Sequence, residues 1–450
     1  MMTTRALSLR KWDYLPDFAS AQIPRYTSYP PANRFTPEIG PMQASDALAG
    51  LPDKASLSLY LHIPFCKKLC WYCGCHTSVP TTADPVDAYV GALATEIRRV
   101  GAMTPQKAHI SHIHFGGGSP DILTPTQIDR LFEALHATFR IDRDAEIAAE
   151  LDPRGLSADV VRAFADCGLN RASLGVQVLD PMVQAKINRI QPRADVESAI
   201  DALRQAGVAR LNIDVMYGLP GQSREHVVET ALFAANQNAD RVATFGYAHV
   251  PWMKKHQKGI STSELAAGEE RFRQAEAAAI TLEQAGYAAI GFDHFAAPGD
   301  SLAVAERNGK LRRNFQGYTD DDATALLGFG ASAISSLPGL IYQNTTDTAL
   351  YRAAAGGDLM PVVRGVALTV NDMRIARVIE RILCDFEADV PGDLLIAACP
   401  ALTPMTSAGL VKLSGAHVTV TARGRPYVRN IAACFDPDFN RATSLHSVAV

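Results

Sequence analysis

Residues 58–76 read SLYLHIPFCKKLCWYCGCH, and they place four of the chain's eight cysteines directly after a short apolar run. The run SLYLHI is rich in strand-forming residues and predicts a β-strand. Cys66, Cys70 and Cys73 follow it with the spacing C-x3-C-x2-C, and Cys75 stands two residues beyond them. Their thiols can converge only if the chain curls on itself, so we expect a ligand-binding loop at the end of this strand.

Such a dense group of thiols indicates metal or redox chemistry, because eight cysteines in 450 residues are too few for a disulfide scaffold. Three thiolates are one short of what a four-iron cluster takes from a protein, which leaves one iron open to an exchangeable molecule. A structural zinc site is the alternative. It is disfavoured because zinc motifs commonly divide their ligands into two separated pairs. The other four cysteines are scattered singly and are interpreted as packing residues.

The composition is that of a folded protein, with 47% apolar and 20% charged residues. A chain of 450 residues predicts two domains, or one large domain with additions. The formal net charge of −4 argues against a general nucleic-acid binder. No apolar run reaches the length of about 18 residues that predicts a transmembrane helix. The first residues, MMTTRALSLRKWDY, lack the apolar core of a signal peptide, so we expect a cytoplasmic protein.

Seven candidate strands alternate with helical segments between residues 56 and 296: SLSLYLHI, HISHIHFGGG, EIAAELDP, RASLGVQ, RLNIDVMYG, RVATFGYAHV and AAIGFDHF. Several are apolar almost throughout, as parallel strands covered on both faces are. Helix boundaries separate them. Thr124 and Pro125 form a helix start, and Gly168 a helix end. The repeat predicts an α/β fold with parallel strands in an open or closed barrel of the TIM type.

This predicted barrel spans residues 56–300, and three further segments surround it. Residues 1–55 form an N-terminal arm with the stretch PRYTSYPPA, and residues 301–360 cap or connect the barrel. Residues 361–450 form a mainly helical C-terminal domain, in which a helix, a hairpin and a helix follow one another as in a winged helix. This region has no strong basic excess, so we interpret it as a packing module rather than a DNA-binding one.

The polar ends of the predicted strands supply a candidate site, since parallel barrels carry their chemistry at the carboxyl ends of their strands. Residues 116–119, GGGS, follow the second strand, where backbone N–H groups can approach a ligand without a side chain between them. Glu150 ends the third strand. Asp214 ends the fifth, where an unpaired carboxylate would be costly to bury, which favours a functional partner.

The three-cysteine motif after the first barrel strand resembles that of the radical S-adenosylmethionine superfamily, whose fold is a partial (β/α) barrel. The resemblance implies a 4Fe-4S cluster held by Cys66, Cys70 and Cys73. Its open iron would bind S-adenosylmethionine, which is then cleaved to methionine and a 5′-deoxyadenosyl radical. Further stretches resemble one family within it, the oxygen-independent coproporphyrinogen III oxidases of haem biosynthesis: PRYTSYP, HFGGGSP, ELDPR, LGVQ, NIDVMYGLPGQ, GFDHFA, RNFQGYT, GFGASAIS and RNIAACFD.

This resemblance implies an activity. Enzymes of the family convert two propionate side chains of coproporphyrinogen III to vinyl groups with loss of carbon dioxide, and they give protoporphyrinogen IX. The radical would abstract a hydrogen from the propionate β-carbon. The resemblance also implies an electron donor such as flavodoxin or ferredoxin, and a monomeric enzyme. A haem-binding, chaperone-like radical protein without decarboxylase activity is the alternative, against which Cys75 and the N-terminal arm argue. A radical enzyme for another carboxylate-bearing substrate also stays open.

The resemblance also implies residue roles, with two molecules of S-adenosylmethionine side by side. Cys75 would be required for catalysis without being a cluster ligand. The contacts implied for the first molecule are Tyr60, Gly117, Gly118, Ser119, Glu150 and Ile334. Those implied for the second are Tyr72, Gln177, Arg189, Asp214 and Ala248. The candidates for the four propionates of the substrate are Arg25, Arg312 and Arg313, because guanidinium groups suit carboxylates.

Overall fold

The computed structural model describes residues 11–439. Residues 1–10 of the predicted arm and residues 440–450 of the predicted C-terminal domain lie outside the described residues. So does most of the stretch on which the expectation of a missing signal peptide rests.

Six parallel strands form the centre of one large sheet and lie side by side in chain order. They are β1 (Ser56–Ile63), β2 (His109–Gly117), β3 (Arg140–Leu151), β4 (Arg171–Gln177), β5 (Arg210–Tyr217) and β6 (Arg241–Gly246). These are the first six strands that the sequence predicts. Their carboxyl ends therefore meet at one edge of the sheet, where the predicted site residues lie.

The helices, in chain order, are α1 (Pro16–Ala19), α2 (Pro41–Ala49), α3 (Asp84–Met103), α4 (Pro125–Thr138), α5 (Ala158–Asp166), α6 (Pro181–Lys186), α7 (Arg193–Gln205), α8 (Arg224–Asn236), α9 (Gly268–Gln284), α10 (Ser301–Arg307), α11 (Thr348–Gly356), α12 (Val370–Asp385), α13 (Gly392–Ser407) and α14 (Val428–Ala433). Helices α3 to α8 connect the six parallel strands. Their apolar faces and the strands share one hydrophobic core. The predicted start of α4 is confirmed, because Thr124 accepts a hydrogen bond from the Gln127 backbone N–H.

The seventh predicted strand, AAIGFDHF, is wrong as one parallel strand. It consists of β7 (Ala288–Ile290) and β8 (His294–Ala296), which form an antiparallel hairpin, and β8 also runs antiparallel to β6. The chain turns at Gly291, whose φ is +56° and whose position leaves no room for a side chain beside the ring of Tyr318. The parallel part of the sheet therefore ends at β6 on this side, and the barrel is partial.

The other edge of the sheet is extended by residues from the segment expected to cap or connect the barrel. That segment first forms a separate hairpin, β9 (Arg312–Asn314) and β10 (Gly317–Thr319). The strands that join the sheet are β11 (Ala325–Phe329), β12 (Ile334–Leu337), β13 (Leu340–Asn344) and β14 (Val362–Ala367). β11 runs parallel to β1, and β12 to β14 continue antiparallel. Much of residues 301–360 is therefore part of the barrel sheet rather than a separate cap. So is β14, which lies in the predicted C-terminal domain of residues 361–450 but pairs with β13.

The C-terminal region follows the predicted order of helix, hairpin and helix. Strand β15 (Glu387–Asp389) lies between α12 and α13. Strands β16 (Val411–Ser414) and β17 (His417–Val420) follow α13 and form a three-stranded sheet with β15, and α14 comes last. A second hydrophobic cluster joins these elements to Ile23, Tyr26 and Tyr29 of the N-terminal arm and to Phe272 of α9. Within residues 11–439, no helix combines the length and apolar character that crossing a bilayer requires.

Candidate active site

A cavity of about 430 Å³ opens at the carboxyl ends of the parallel strands. Most of the residues that the sequence singles out line it together: Arg25, Cys66, Cys70, Tyr72, Cys73, Cys75, Gly117, Gly118, Ser119, Glu150, Gln177, Arg189, Asp214 and Ala248. They come from the loops after β1 to β6 and from the N-terminal arm. The fold thus gathers residues more than 200 positions apart around one space.

The cysteine loop curls back after β1, as its spacing predicts. The Cys66 backbone N–H donates to the Ser78 carbonyl (2.9 Å), and the Ser78 N–H donates to the Pro64 carbonyl (3.0 Å). A tight turn at the centre of the loop brings the Cys73 N–H to the Cys70 carbonyl (3.2 Å). Cys70 is buried, whereas Cys75 is exposed at the mouth of the cavity.

Two of the three sulfurs, those of Cys70 and Cys73, accept hydrogen bonds from neighbouring residues. Arg154 and Arg189 each donate a hydrogen bond to the Cys70 sulfur, at 3.2 and 3.3 Å. Hydrogen bonds from Cys75, from its thiol and from its backbone N–H (3.3 Å), lower the pKa of Cys73 to about 6. Cys66 differs, since burial raises its pKa to about 11. A positively charged metal centre would have to displace that proton.

The three thiols of the cysteine loop are the donor set that an iron–sulfur cluster with one open iron takes from a protein. Within the described part of the chain, no three side chains of His, Cys, Asp or Glu converge as one metal ion requires. Cys66, Cys70 and Cys73 instead stand around the cavity wall. An iron–sulfur cluster, whose irons are joined by sulfide bridges, spans more space between its thiolates than one zinc ion does. The residues present therefore fit a 4Fe-4S cluster.

The glycine stretch lies directly against the cysteine loop. The Gly118 N–H donates to the Ile63 carbonyl and the Ser119 N–H to the Phe65 carbonyl, both at 2.8 Å. A side chain at Gly118 would collide with the backbone of Phe65, and Gly117 has a φ of +108°. Only glycine fits these two positions, so bare backbone faces the cavity next to the thiols.

Two carboxylates that line the cavity, those of Glu150 and Asp214, have opposite pKa shifts. Burial would raise the pKa of Glu150, but hydrogen bonds from His114 (3.1 Å) and from the Gly117 N–H (3.4 Å) outweigh it and lower the pKa. Asp214 accepts only neutral hydrogen bonds among the described residues, from Asn212 (2.9 Å) and Ser173 (3.4 Å). Burial, and then the charge of Glu150, raise its pKa to about 7. One carboxylate is thus held ionised and the other near its midpoint at neutral pH.

Arg189 is buried, with a side chain that is 6% exposed. It pairs with Asp152 at 3.2 Å, and Arg154 pairs with the same carboxylate at 2.6 Å. Asp152 and Arg154 are site residues that the sequence did not indicate, although they directly follow the apolar strand in ELDPR. Gln177 has a φ of +68°, and its side-chain oxygen is buried without a partner among the described residues. Such an oxygen is suited to a ligand.

Two predicted contacts, Tyr60 and Ile334, are not among the residues that line the cavity. The Tyr60 hydroxyl lies 3.0 Å from Nδ1 of His62, and its ring stacks on His114, which in turn binds Glu150. Tyr60 therefore contacts His62 and His114 behind the residues that line the cavity, rather than the cavity itself. Ile334 is half-exposed on β12.

The three substrate arginines occupy different surroundings. Arg25 lines the cavity and donates to the Gly246 carbonyl (3.1 Å). Arg313 lies behind it, buried against the rings of Phe292 and Tyr318, and donates to the Arg25 carbonyl (3.4 Å). Arg312 contacts neither of these groups among the described residues and pairs with Glu380 instead.

Arg312 forms an ion pair with Glu380 (2.9 Å) and, together with Arg313, lines a separate cavity of about 930 Å³ beside α12. Its guanidinium group is already paired with a carboxylate, so its predicted role in substrate binding has no support from this geometry.

Two further arginines lie near Arg25 that the sequence did not indicate as candidates for substrate binding. Arg271 of α9 donates to the Tyr247 carbonyl (2.7 Å), and Arg429 of α14 donates to the Pro24 carbonyl (3.2 Å). Burial lowers the pKa of both guanidinium groups, that of Arg429 to about 9, and the charge of Arg25 lowers them further. No sequence signal joins two arginines on distant helices, so only the fold shows this concentration of positive charge.

Comparison with known proteins agrees with this geometry. Residues 60–234 match the family model of the radical SAM superfamily. The chain is 44% identical to the oxygen-independent coproporphyrinogen III oxidase of Bradyrhizobium diazoefficiens, over 97% of this chain and 99% of that one. It is 38% identical to the oxidase of the same name from Escherichia coli K12, over 92% of each chain. A solved structure of coproporphyrinogen III oxidase (HemN) from E. coli, a radical SAM enzyme, superposes with a TM-score of 0.90 and 36% identity over 96% of this chain and 100% of that one.

Proposed function

The chain belongs to the oxygen-independent coproporphyrinogen III oxidases of the radical SAM superfamily, and on that premise we propose how its own residues carry out the reaction. It is a radical SAM enzyme of haem biosynthesis. The family assignment therefore favours the decarboxylase over the haem carrier that the sequence left as an alternative. The observation that carries our residue assignments is the single cavity that joins three cysteines, a glycine stretch and an arginine-lined wall.

When bound, a 4Fe-4S cluster and S-adenosylmethionine supply the one-electron chemistry that removes a hydrogen from the propionate β-carbon. The chain's residues hold these groups. We assign Cys66, Cys70 and Cys73 as cluster ligands. Arg154 and Arg189 stabilise the Cys70 thiolate through their hydrogen bonds to its sulfur, as charge-assisted donors do.

S-adenosylmethionine carries an ammonium, a carboxylate, a ribose and an adenine, and Glu150 stays ionised for a ribose hydroxyl or the ammonium group. The absence of side chains at Gly117 and Gly118 allows a ligand to approach closely beside the thiols. The N–H groups of this stretch are not free donors, since those of Gly117, Gly118 and Ser119 donate to Glu150, Ile63 and Phe65. Tyr60 acts through His114, because it orients the histidine that binds Glu150. The contact between Ile334 and S-adenosylmethionine is an expectation that rests on the family alone.

We propose a second S-adenosylmethionine on the opposite side of the cavity, within reach of Tyr72, Gln177, Asp214 and Ala248. The unpaired side-chain oxygen of Gln177 and the weakly paired carboxyl of Asp214 support it, because both are costly to bury without a ligand. Equilibrium dialysis of the anaerobically reconstituted protein tests this directly. We expect two molecules bound per chain, and saturation at one would contradict the second site.

The propionates of the substrate are bound, in this proposal, by the arginines on the arm side of the cavity. Arg25 is the cation on the cavity wall itself, and Arg313, Arg271 and Arg429 lie behind or beside it. Grouped guanidinium ions repel one another, and bound carboxylates would relieve that repulsion. We expect Arg25→Gln to raise the KM for coproporphyrinogen III more than tenfold while the 4Fe-4S absorbance stays unchanged, with Arg312→Gln as the neighbouring control.

The activity itself is tested with the reconstituted, reduced protein, incubated anaerobically with coproporphyrinogen III and S-adenosylmethionine. We expect protoporphyrinogen IX and carbon dioxide, with methionine and 5′-deoxyadenosine as co-products. Cleavage of S-adenosylmethionine without a vinyl product would point to another carboxylate-bearing substrate. A monomeric state, a cytoplasmic location and a flavodoxin or ferredoxin as electron donor complete the proposal.

A further inference from the structure

The cysteine loop is covered on its outer side by residues 250–260, which connect β6 to α9. Three side chains of this segment bind the loop's backbone carbonyls. Lys254 donates to the Cys75 carbonyl (2.8 Å), His256 Nε2 contacts the Cys73 carbonyl (2.7 Å), and Gln257 donates to the Tyr72 carbonyl (3.0 Å). The segment therefore lies in direct contact with the residues that would hold the cluster.

The outer face of this segment exposes two large apolar side chains among lysines. Trp252 is 53% exposed and Met253 is 67% exposed. Lys255 and Lys258 are exposed beside them. We call these four residues the cluster-side surface. In a chain of net charge −4, two exposed lysines beside two exposed apolar side chains form a local positive patch.

Little on the described chain neutralises this surface. Among residues 11–439, no carboxylate lies within 4.0 Å of the Lys255 or Lys258 ammonium group. An exposed aromatic side chain surrounded by charges of one sign is typical of a protein-binding surface, since aromatic groups supply the contact area and the charges steer the partner.

The reaction itself requires an external electron, because the cluster must be reduced before S-adenosylmethionine is cleaved. Electron transfer between proteins falls steeply with distance, so the donor has to dock near the cysteines. We propose that the cluster-side surface is the docking site of an acidic flavodoxin, with the exposed edge of its flavin ring against Trp252; this inference rests on the function proposed above. In each transfer the reduced flavin loses one electron and the cluster gains it.

The occupant is a flavin protein rather than a ferredoxin because of the apolar centre of the surface. Trp252 and Met253 offer an aromatic and a thioether group, which suit the apolar ring edge of a flavin. The lysines around them suit the acidic residues that surround such a ring.

The test compares two double variants that change the net charge equally. Lys255→Glu with Lys258→Glu alters the cluster-side surface. Lys54→Glu with Lys412→Glu alters exposed lysines before β1 and on β16. For each holoenzyme, calorimetry gives the Kd for an acidic flavodoxin, and turnover is measured with reduced flavodoxin and, separately, with dithionite.

We expect the first double variant to bind flavodoxin at least about tenfold more weakly at low salt, with a smaller difference at high salt. Its turnover should fall with flavodoxin and stay unchanged with dithionite, whereas the control pair should match the wild type in every assay. Trp252→Ala should weaken binding about fivefold at both salt concentrations, because the aromatic contact is not screened.

Wild-type affinity for flavodoxin in the first double variant would overturn the docking site. Weakened binding of a ferredoxin, with flavodoxin binding intact, would overturn the assignment of the flavin partner. If the wild type fails to turn over even with dithionite, the proposed function fails instead, and the Kd comparison still decides where the donor docks.

Discussion

The two ends of the same barrel strands carry buried charges in opposite ways. At the amino end, Glu146 lies between Arg171 (3.0 Å) and Arg210 (3.1 Å), and Asp300 accepts from Arg171 (3.2 Å) and Arg241 (2.7 Å). Burial would raise the pKa of Glu146, but Arg171 and Arg241 outweigh it and lower it to about 2. Each carboxylate of this amino-end network pairs with two guanidinium groups, although Nη1 of Arg171 is buried without a hydrogen-bond partner among the described residues.

At the carboxyl end the pairing is incomplete. Glu150 lies four residues after Glu146 on β3. Asp214 lies on β5, and its pKa is raised to about 7. The side-chain oxygen of Gln177 is buried without a partner among the described residues. The buried carboxylates at the amino end are neutralised by ion pairs, whereas Asp214 accepts only neutral hydrogen bonds among the described residues and is therefore open to a charged ligand. The comparison therefore separates the structural end of the barrel from the chemical one.

The largest effect should come from breaking the carboxyl end at its thiols. Cys70→Ser removes the buried thiol that accepts hydrogen bonds from Arg154 and Arg189. We expect the broad visible absorbance of the reconstituted iron–sulfur centre to disappear, and turnover with it, while the far-ultraviolet circular dichroism stays unchanged. Cys399→Ser, at an exposed cysteine of α13, is the control and should behave like the wild type. Undiminished absorbance in Cys70→Ser would show that the ligand assignment is wrong.

The amino end should respond through stability. Arg171→Ala leaves the buried carboxylates of Glu146 and Asp300 without their shared partner, which costs about 3–5 kcal/mol in the free energy of unfolding. Arg210→Ala removes a guanidinium from the same Glu146, but from a side chain that is 48% exposed, and should cost less than about 1 kcal/mol. Urea unfolding of both variants measures the difference. Equal losses would contradict the distinction between buried and exposed partners.

The comparison also shows which features the sequence could predict. The cysteine loop and the glycine stretch are local, because their spacing and their position after a strand determine how the backbone turns. The seventh strand was misjudged because an apolar run has the same pattern whether it lies parallel or folds back at a glycine, as AAIGFDHF does at Gly291. The direction of a strand depends on its neighbours rather than on its own residues.

The arginines show the same limit. Arg312 and Arg313 are adjacent on β9, and successive side chains of a strand point to opposite faces, so only one of them can face the barrel. The sequence did not reveal which one. Arg271 and Arg429 approach Arg25 only because α9 and α14 pack together with the N-terminal arm. Long-range packing, not a motif, assembles the cationic side of the cavity.

The raised pKa of Asp214 predicts that the free energy of unfolding depends on pH. A carboxyl whose pKa rises from 3.8 to about 7 on folding stabilises fully below pH 3.8, and this contribution is lost as the pH rises to about 7. Between pH 5 and 8 the loss is about 2–3 kcal/mol, at about 1.4 kcal/mol for each pKa unit. Asp214→Asn cannot ionise, so its free energy of unfolding relative to the wild type should rise by that amount over this range. A difference that does not change with pH would mean that Asp214 is ionised throughout.

The smallest effect, and the finest distinction within the carboxyl end, concerns Cys75. Its backbone N–H donates to the Cys73 sulfur, and this contact survives in Cys75→Ser, so the cluster absorbance should stay at the wild-type level. Its thiol, however, stands on the cavity wall, where it can contact the reacting groups. We expect turnover to fall about tenfold, equivalent to about 1.4 kcal/mol of activation free energy, with the KM for S-adenosylmethionine unchanged. Loss of the absorbance would instead make Cys75 a ligand, and three thiolates would no longer describe the coordination of the cluster.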